Sequence, residues 1–471
     1  MKLAPHTRRQ FLGGMAKTVL ATTALPRVVP ARVFGQNAPS NTLNLALIGM
    51  GGIMGSHLRH VLGPDQKTSA QQPKIVALCD VDLNRVRGAH GNPIFQAGLA
   101  KAKDYQDYRR LLDDASSFDA VLITTGCRWH VPLSKTFIKA GKHVYCEKPL
   151  ARVVSEARDI KEVAATSKVA TQLGTQGTAT ESFRRSVEVL QAGVVGPVRE
   201  VHLWCNIWGP RSPSHDRPEG EDPVPEGLNW DEWLGPAPYR PFKNKIYLGY
   251  CLTWYDWYDF SSAMLAEFGQ HNFMLPVRAL KLNPPIQVAA DVPEPQKETI
   301  PSTLKIRYEF AARGDLPPVT LHWYEAGVPV KAEAVAPLVT LYKQVPSSGC
   351  LFIGSKGSLF TDGWGGSGIM QIDGGKWRGV RDHEAAKHVA ETEPRNKGRG
   401  HFEEWVDACK GECSTYCPLE RGAEASEVLL PGIVSTRLGA PIDWEGAAMK
   451  VPGNPAADRF IKADYRTKWL I

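Results

Sequence analysis

Apolar and polar positions alternate in blocks along the first third of the chain. Leu43-Asn44-Leu45-Ala46-Leu47-Ile48 is a strand-like run that feeds a glycine turn, Gly49-Met50-Gly51-Gly52, and then a helix starting near Ile53. A second run, Lys74 to Cys79, ends in Asp80, and Gly63 to Pro73 before it reads as an inserted loop. Ala120 to Thr125 is a short β-branched run, a helix is expected around Pro132 to Ala140, and His143 to Cys146 runs out at Glu147-Lys148-Pro149. Strands alternating with helices predict a doubly wound parallel α/β sheet over residues 39–165. Past about Thr166 the strand-like runs follow one another with fewer helices between them: Val198 to Ile207, Thr303 to Phe310, Val319 to Trp323 and Cys350 to Gly354. That texture predicts an α+β domain over 166–471, built on a mostly antiparallel, open sheet. Eight prolines between Pro210 and Pro241 mark a long irregular stretch, expected as a partial cover over the site.

Composition changes the picture mainly at the start of the chain. At 471 residues, with 43% hydrophobic and 22% charged, the sequence has globular composition and length for two domains. The net charge is +7, but six of the positive charges (Lys2, Arg8, Arg9, Lys17, Arg27, Arg32) fall in residues 1–38, which hold no acid. The remainder is nearly neutral, which leaves no broad electrostatic footprint for nucleic acid. Thr7-Arg8-Arg9-Gln10-Phe11-Leu12, followed by a weakly apolar stretch to Leu25, is a twin-arginine pattern. The expectation is a periplasmic protein exported already folded by the twin-arginine machinery, with its cofactor acquired beforehand. Nine cysteines in a chain that folds in the cytoplasm predict no disulfide framework. Cys409, Cys413 and Cys417 are spaced i, i+4, i+8, but Gly411 and Pro418 break any single helix through them, and no metal site is predicted.

The glycine turn carries the first chemistry. A phosphate approaches backbone only where Cβ is absent, and the helix behind the turn offers free N–H groups to an anion. Gly49 and Gly51 occupy the first two glycine positions of a dinucleotide fingerprint, while the third falls on Met54 with Gly55 one place late. Asp80, at the end of the second strand, is placed to accept from adenosine ribose hydroxyls. Glu147-Lys148-Pro149 delivers an acid and an ammonium to the carboxyl edge of the sheet, where open α/β sheets bind ligands.

Gly-x-Gly-Gly, the acid after the second strand, Thr124-Thr125-x-x-x-x-His130 and Glu147-Lys148-Pro149 together resemble the Gfo/Idh/MocA oxidoreductase family. Gln172-Leu-Gly-Thr-Gln176, Asn229-Trp-Asp-Glu-Trp-Leu-Gly-Pro-Ala237, His401-Phe-Glu-Glu-Trp405 and Tyr465-Arg466-x-x-Trp469 resemble its exported bacterial branch. The resemblance implies a Rossmann domain, a tightly bound nicotinamide cofactor (NAD, with NADP as the alternative), a carbohydrate or cyclitol substrate, Lys148 in the active site, and a homo-oligomer formed through the C-terminal sheet. The expected cofactor-binding residues are Gly49, Gly51, Gly52, Ile53, Met54, Asp80, Thr124, Thr125, His130, Glu147, Lys148 and Gln176.

Two departures from the family pattern stand out. Thr125-Gly126-Cys127 replaces its common Thr-Pro, and Glu267-Phe268-Gly269-Gln270-His271 replaces its Asp-x-x-x-His. On one helix Glu267 and His271 would share a face. The catalytic residues are expected to be Lys148, polarising the reacting oxygen, His271, taking or relaying the proton, and Glu267. Six tryptophans between Trp204 and Trp257 lie beside Tyr255 and Tyr258; Trp233, Trp254 and Tyr258 are candidates to stack on a sugar, with core packing the competing role. Three functions follow: net oxidation of a carbinol carbon, an NAD-dependent glycoside hydrolase working by transient oxidation and elimination, or a cofactor-bearing binding protein without turnover.

Overall fold

A computed structural model describes residues 42–63, 72–207, 216–249, 253–292, 294–396 and 398–469. The signal segment expected at 1–38 lies outside the described residues, as do most of the inserted loop and the start of the proline-rich stretch.

Six parallel strands form the first sheet: β1 (Asn44–Ile48), β2 (Lys74–Cys79), β3 (Lys103–Tyr105), β4 (Ala120–Ile123), β5 (His143–Cys146) and β6 (Thr171–Leu173), in the order β3-β2-β1-β4-β5-β6. The central strands are apolar on both sides because helices cover both faces; every residue of β4 is buried. Ile48 pairs with Cys79 on one side and Ile123 on the other, so β1, β2 and β4 end level with each other. The strand order reverses there, and the crevice opens at those carboxyl ends. Neither β3 nor β6 was foreseen; both are three residues long, and the chain adds β6 to the first sheet beyond the expected boundary at 165.

The second sheet has nine strands: β7 (Val198–Cys205), β8 (Gln287–Asp291), β9 (Leu304–Phe310), β10 (Val319–Glu325), β11 (Ser348–Gly354), β12 (Gly357–Thr361), β13 (Gly368–Ile372), β14 (Arg378–Gly379) and β15 (Ile442–Asp443). Their order is β14-β13-β12-β11-β7-β10-β9-β8-β15, with only the β7–β10 pair parallel. Alternate residues of β9 are buried, the signature of a strand with one packed face. Helices Gly269–Ala279, Leu419–Leu429 and Pro431–Leu438 pack on the inner face, where Tyr308 donates to the Leu429 carbonyl at 2.8 Å. The outer face is partly covered: helix Ala332–Tyr342 sets Val335 and Leu338 against Trp204, Tyr324, Leu351 and Phe360.

The two sheets are joined by more than the chain crossing. Helix Leu419–Leu429 packs on helix Val154–Thr166, and Glu427 pairs with Arg158 and Lys161 across that contact. A strap from the proline-rich stretch runs over the first domain: Asn229 N donates to the Val81 carbonyl at 2.8 Å and Leu83 N to that of Gly227 at 3.0 Å. No helix among the described residues is long and apolar enough to cross a membrane.

Candidate active site

Gly49 has φ +88°, and a Cβ there would sit 2.8 Å from the Thr124 carbonyl carbon, so β1 turns into β4's path only with glycine. Its N–H donates to the Cys79 carbonyl at 2.8 Å, and Thr124 Oγ1 donates to its carbonyl at 2.5 Å. Asp80 ties down the other side, accepting from Met50 N at 2.5 Å and Asp82 N at 2.8 Å. Burial raises the Asp80 pKa, with those two N–H groups and Arg85 opposing. The helix Met54–Leu62 starts directly behind the turn.

A cleft of about 660 Å³ begins at Asp80, Arg85 and Tyr108, passes the glycine turn and Thr125, and ends at Lys148, Glu267 and Trp254. At the far end Glu147 is 3% exposed and held from three sides: by His57 Nε2 at 2.9 Å, Gln176 Nε2 at 3.0 Å and Lys148 N at 3.2 Å. Burial acts to raise its pKa, but the His57 bond and the His57 and Lys148 charges outweigh it, and the net shift is downward. Lys148 Nζ lies 3.5 Å from Glu267 Oε2 and 4.8 Å from the Phe268 ring centroid. Glu267 also accepts from Ser261 Oγ at 3.2 Å. Burial raises the Glu267 pKa, and Lys148 and Ser261 offset only part of that.

The structure therefore gathers Gly49, Gly51, Gly52, Ile53, Asp80, Thr124, Thr125, Glu147, Lys148 and Glu267 around one cleft, together with Trp233 and Trp254. Five expected residues are elsewhere. Met54 is fully buried under the turn, because a helix entering the sheet puts its first apolar side chain into the core. His130 is 1% exposed with its ring nitrogens at 2.9 Å from the Thr125 carbonyl and 2.6 Å from that of Pro149. It thus links the two loops that carry Thr125 and Lys148. Gln176 acts through Glu147, and Tyr258 is buried beneath the Arg437 guanidinium, 4.3 Å from its ring centroid.

His271 is the largest correction. Phe268 interrupts the helix for one residue, between Ala263–Glu267 and Gly269–Ala279, and of the two side chains only Glu267 lines the cleft. The imidazole is 4% exposed, packs against Phe268 and Trp364, and is absent from the cleft wall. Its Nδ1 has no hydrogen-bond partner among the described residues. Burial and the nearby Lys148 charge hold its pKa well below the usual value, keeping the ring neutral.

Tyr108, Gln106, Arg128, Trp129 and Glu232 line the cleft without having been foreseen. Gln106 and Tyr108 follow the three-residue β3, Arg128 and Trp129 open the helix Cys127–Lys139, and Glu232 reaches the cleft on the strap, within the Asn229 to Ala237 motif. Arg128 and Trp129 do sit within the stretch between Thr125 and His130 that had been singled out.

A dinucleotide suits this wall. Thr125 Oγ1 is buried on the cleft without a partner among the described residues, the bare glycines leave room for a phosphate, and Asp80 stands at the ribose end. Residues 43–175 match the family model described as oxidoreductase family, NAD-binding Rossmann fold, and residues 204–316 match the C-terminal alpha/beta domain of the same family. The chain belongs to the Gfo/Idh/MocA oxidoreductases. Inositol 2-dehydrogenase of Salmonella typhimurium is 26% identical over 162 residues, 34% of this chain and 45% of that protein. A glycosyl hydrolase family 109 protein of Shewanella pealeana is 30% identical over 174 residues, 33% of this chain and 36% of its own. The chain thus matches less than half of these relatives' lengths. Two solved structures share the fold: the WlbA dehydrogenase of Bordetella pertussis with NADH and UDP-GlcNAcA (14% identity, TM-score 0.57, 86% of this chain and 99% of that one), and levoglucosan dehydrogenase with NADH and levoglucosan (13%, 0.55, 85% and 99%).

Among the described residues there is no cluster of three or more His, Cys, Asp or Glu able to hold a metal. Cys409 ends one helix, Cys413 is exposed and Cys417 is buried before the next, accepting from Thr175 Oγ1 at 3.1 Å.

Proposed function

We propose that the protein is an NAD-dependent oxidoreductase that oxidises a CH–OH group of a sugar or cyclitol. The observation that carries this reading is the Lys148–Glu267 pair, set 3.5 Å apart at the end of a cleft that starts at a glycine turn. A bound nicotinamide supplies the hydride acceptor. Lys148 donates a hydrogen bond to the reacting oxygen and stabilises the negative charge that grows on it. Glu267, whose raised pKa makes it a stronger base than an ordinary carboxylate, takes the hydroxyl proton. Glu147, fixed by His57 and Gln176, keeps Lys148 at the strand end through the bond to its N–H. His271 stays neutral behind the pair. Asp80 favours NAD over NADP, since a carboxylate accepts from a 2′-hydroxyl and repels a 2′-phosphate. The test is absorbance at the reduced-nicotinamide band when purified protein and NAD⁺ meet a panel of hexoses, hexuronates and inositols. No reduction with any of them, and no released aglycone from their glycosides, overturns the reading.

The second reading is a redox-neutral hydrolase, and the strap favours it. A cover hydrogen-bonded to the end of β2 hinders cofactor exchange, which suits an enzyme that regenerates its cofactor in place. The same pair would serve, and a released aglycone without net NADH distinguishes this outcome. We further infer export through the Arg8-Arg9 pair and assembly of copies through the second sheet. Both rest on the sequence pattern and the family's habits.

A further inference from the structure

Thr125-Gly126 stands where the family commonly has Thr-Pro, and Arg128 gives the physical reason. A Cβ at residue 126 would lie 2.5 Å from Arg128 Nη1, so any side chain there pushes the guanidinium aside. With glycine, the guanidinium stacks 3.9 Å from the Trp233 ring centroid and 4.8 Å from that of Phe260. Its Nε donates to the Trp233 and Leu234 carbonyls at 3.0 and 3.2 Å, and Nη2 donates to Trp233. Nη1 has no partner among the described residues.

Arg128 is 3% exposed, yet it lines the cleft between the glycine turn and Lys148. The other guanidinium charges within reach, Arg152 and Arg240, repel it, and no carboxylate of the described residues neutralises it. Burial pushes its pKa down to about 9. A buried cation bonded only to neutral carbonyls is an unfavourable arrangement by itself. It becomes favourable when an anion arrives in the cavity it borders, because charge-assisted bonds to a guanidinium are the strong ones.

We propose that Arg128, let into the cleft wall by Gly126, is an anion-binding residue whose Nη1 takes a phosphate or carboxylate oxygen of the bound ligand. This rests on the reading that dinucleotide and sugar share the cleft. Two sources carry the chemistry: the cofactor's pyrophosphate, or the carboxylate of a hexuronic acid substrate. Gly126 and Arg128 act as one unit in either case, since the first admits what the second contributes.

Calorimetric titration of the full-length protein separates the sources. The probes are NAD⁺ and adenosine on cofactor-free protein, and glucuronate against glucose on protein loaded with NAD⁺. The variants are Arg128→Met and Gly126→Ala; the second displaces the guanidinium while leaving its stem and charge in place, and so reports even where the first fails to fold. For a pyrophosphate partner, both variants bind NAD⁺ at least 10-fold more weakly and adenosine as before. For a carboxylate partner, the parent prefers glucuronate to glucose at least 10-fold, both variants lose that preference, and NAD⁺ affinity holds. Unchanged NAD⁺ affinity together with no glucuronate preference in the parent overturns the proposal. These are binding measurements, so a protein that turns nothing over can still pass. Failure of the parent to bind NAD⁺ at all would instead remove the oxidoreductase reading beneath it.

Discussion

At the scale of single residues, the active end of the cleft turns on where two charges are allowed to be. Lys148 faces a carboxylate that burial has made reluctant to ionise, and this is a geometry for passing a proton rather than for bracing a fold. Replacing Lys148 by Ala is expected to lower kcat by about 10²–10⁴-fold with the bound cofactor retained, the range for losing one positioned acid–base group. Glu267→Gln carries an opposite pair of effects. Because the folded pKa of Glu267 lies above its unfolded value, ionising it costs stability at neutral pH, a cost that fades as pH falls toward the unfolded pKa. The glutamine variant should therefore melt at the parent's temperature or higher at pH 7 while losing turnover; a fall of several degrees in Tm by calorimetry would show that the carboxylate braces the fold instead. At the other end, Asp80→Ala should weaken NAD⁺ more than NADP⁺ in fluorescence titration, since it removes a hydroxyl acceptor and a phosphate repulsion together.

Between elements, the links that matter are made by buried polar groups. Glu147 sits at the end of β5 and His57 in the helix behind the glycine turn, so their 2.9 Å bond fastens the cofactor-facing turn to the strand that delivers Lys148. The folded pKa of Glu147 is depressed, so its contribution is fully present above the unfolded carboxylate pKa and is lost as pH drops through the folded one. His57→Ala leaves that carboxylate without its main partner and is expected to cost about 1–3 kcal/mol. Urea midpoints of parent and variant at pH 7 and pH 4 should show the gap narrowing in acid. The strap has its own fastening. Asn229 caps the helix Trp230–Leu234 by accepting from Glu232 N at 3.1 Å, and the same residue's N–H bonds to Val81. Asn229→Ala should remove about 1 kcal/mol of local stability. Faster cofactor release by stopped-flow displacement, with chemistry intact, is the outcome that fits a cover over the adenosine end.

For the molecule as a whole, the contact between helices Val154–Thr166 and Leu419–Leu429 fixes one domain against the other. Bound NAD⁺ stabilises only the folded state, so saturating cofactor should raise Tm by an amount that grows with the logarithm of its concentration. Changing Arg8 and Arg9 to Lys should leave the protein in the cytoplasm when cell fractions are blotted; normal periplasmic delivery would remove the export reading.

The sequence alone determined the first sheet's central strands, the glycine turn, Asp80 and the Glu147-Lys148 strand end. These features depend on short-range rules, namely apolar runs of strand length and residues without a Cβ where backbone meets backbone. It also picked out Thr125-Gly126 and Glu267 as departures, giving Glu267 a catalytic place but no defined step, and Thr125-Gly126 no role. Only the tertiary structure decided which side chains face the cleft. Packing against Phe268 and Trp364 buried His271, while Glu267 was left beside Lys148. The strap brought Trp233 and Glu232 to a wall more than 100 positions away from Arg128 and Trp129 in the chain. Such contacts follow from how whole elements pack against each other, and neither hydrophobic period nor residue spacing encodes that packing locally.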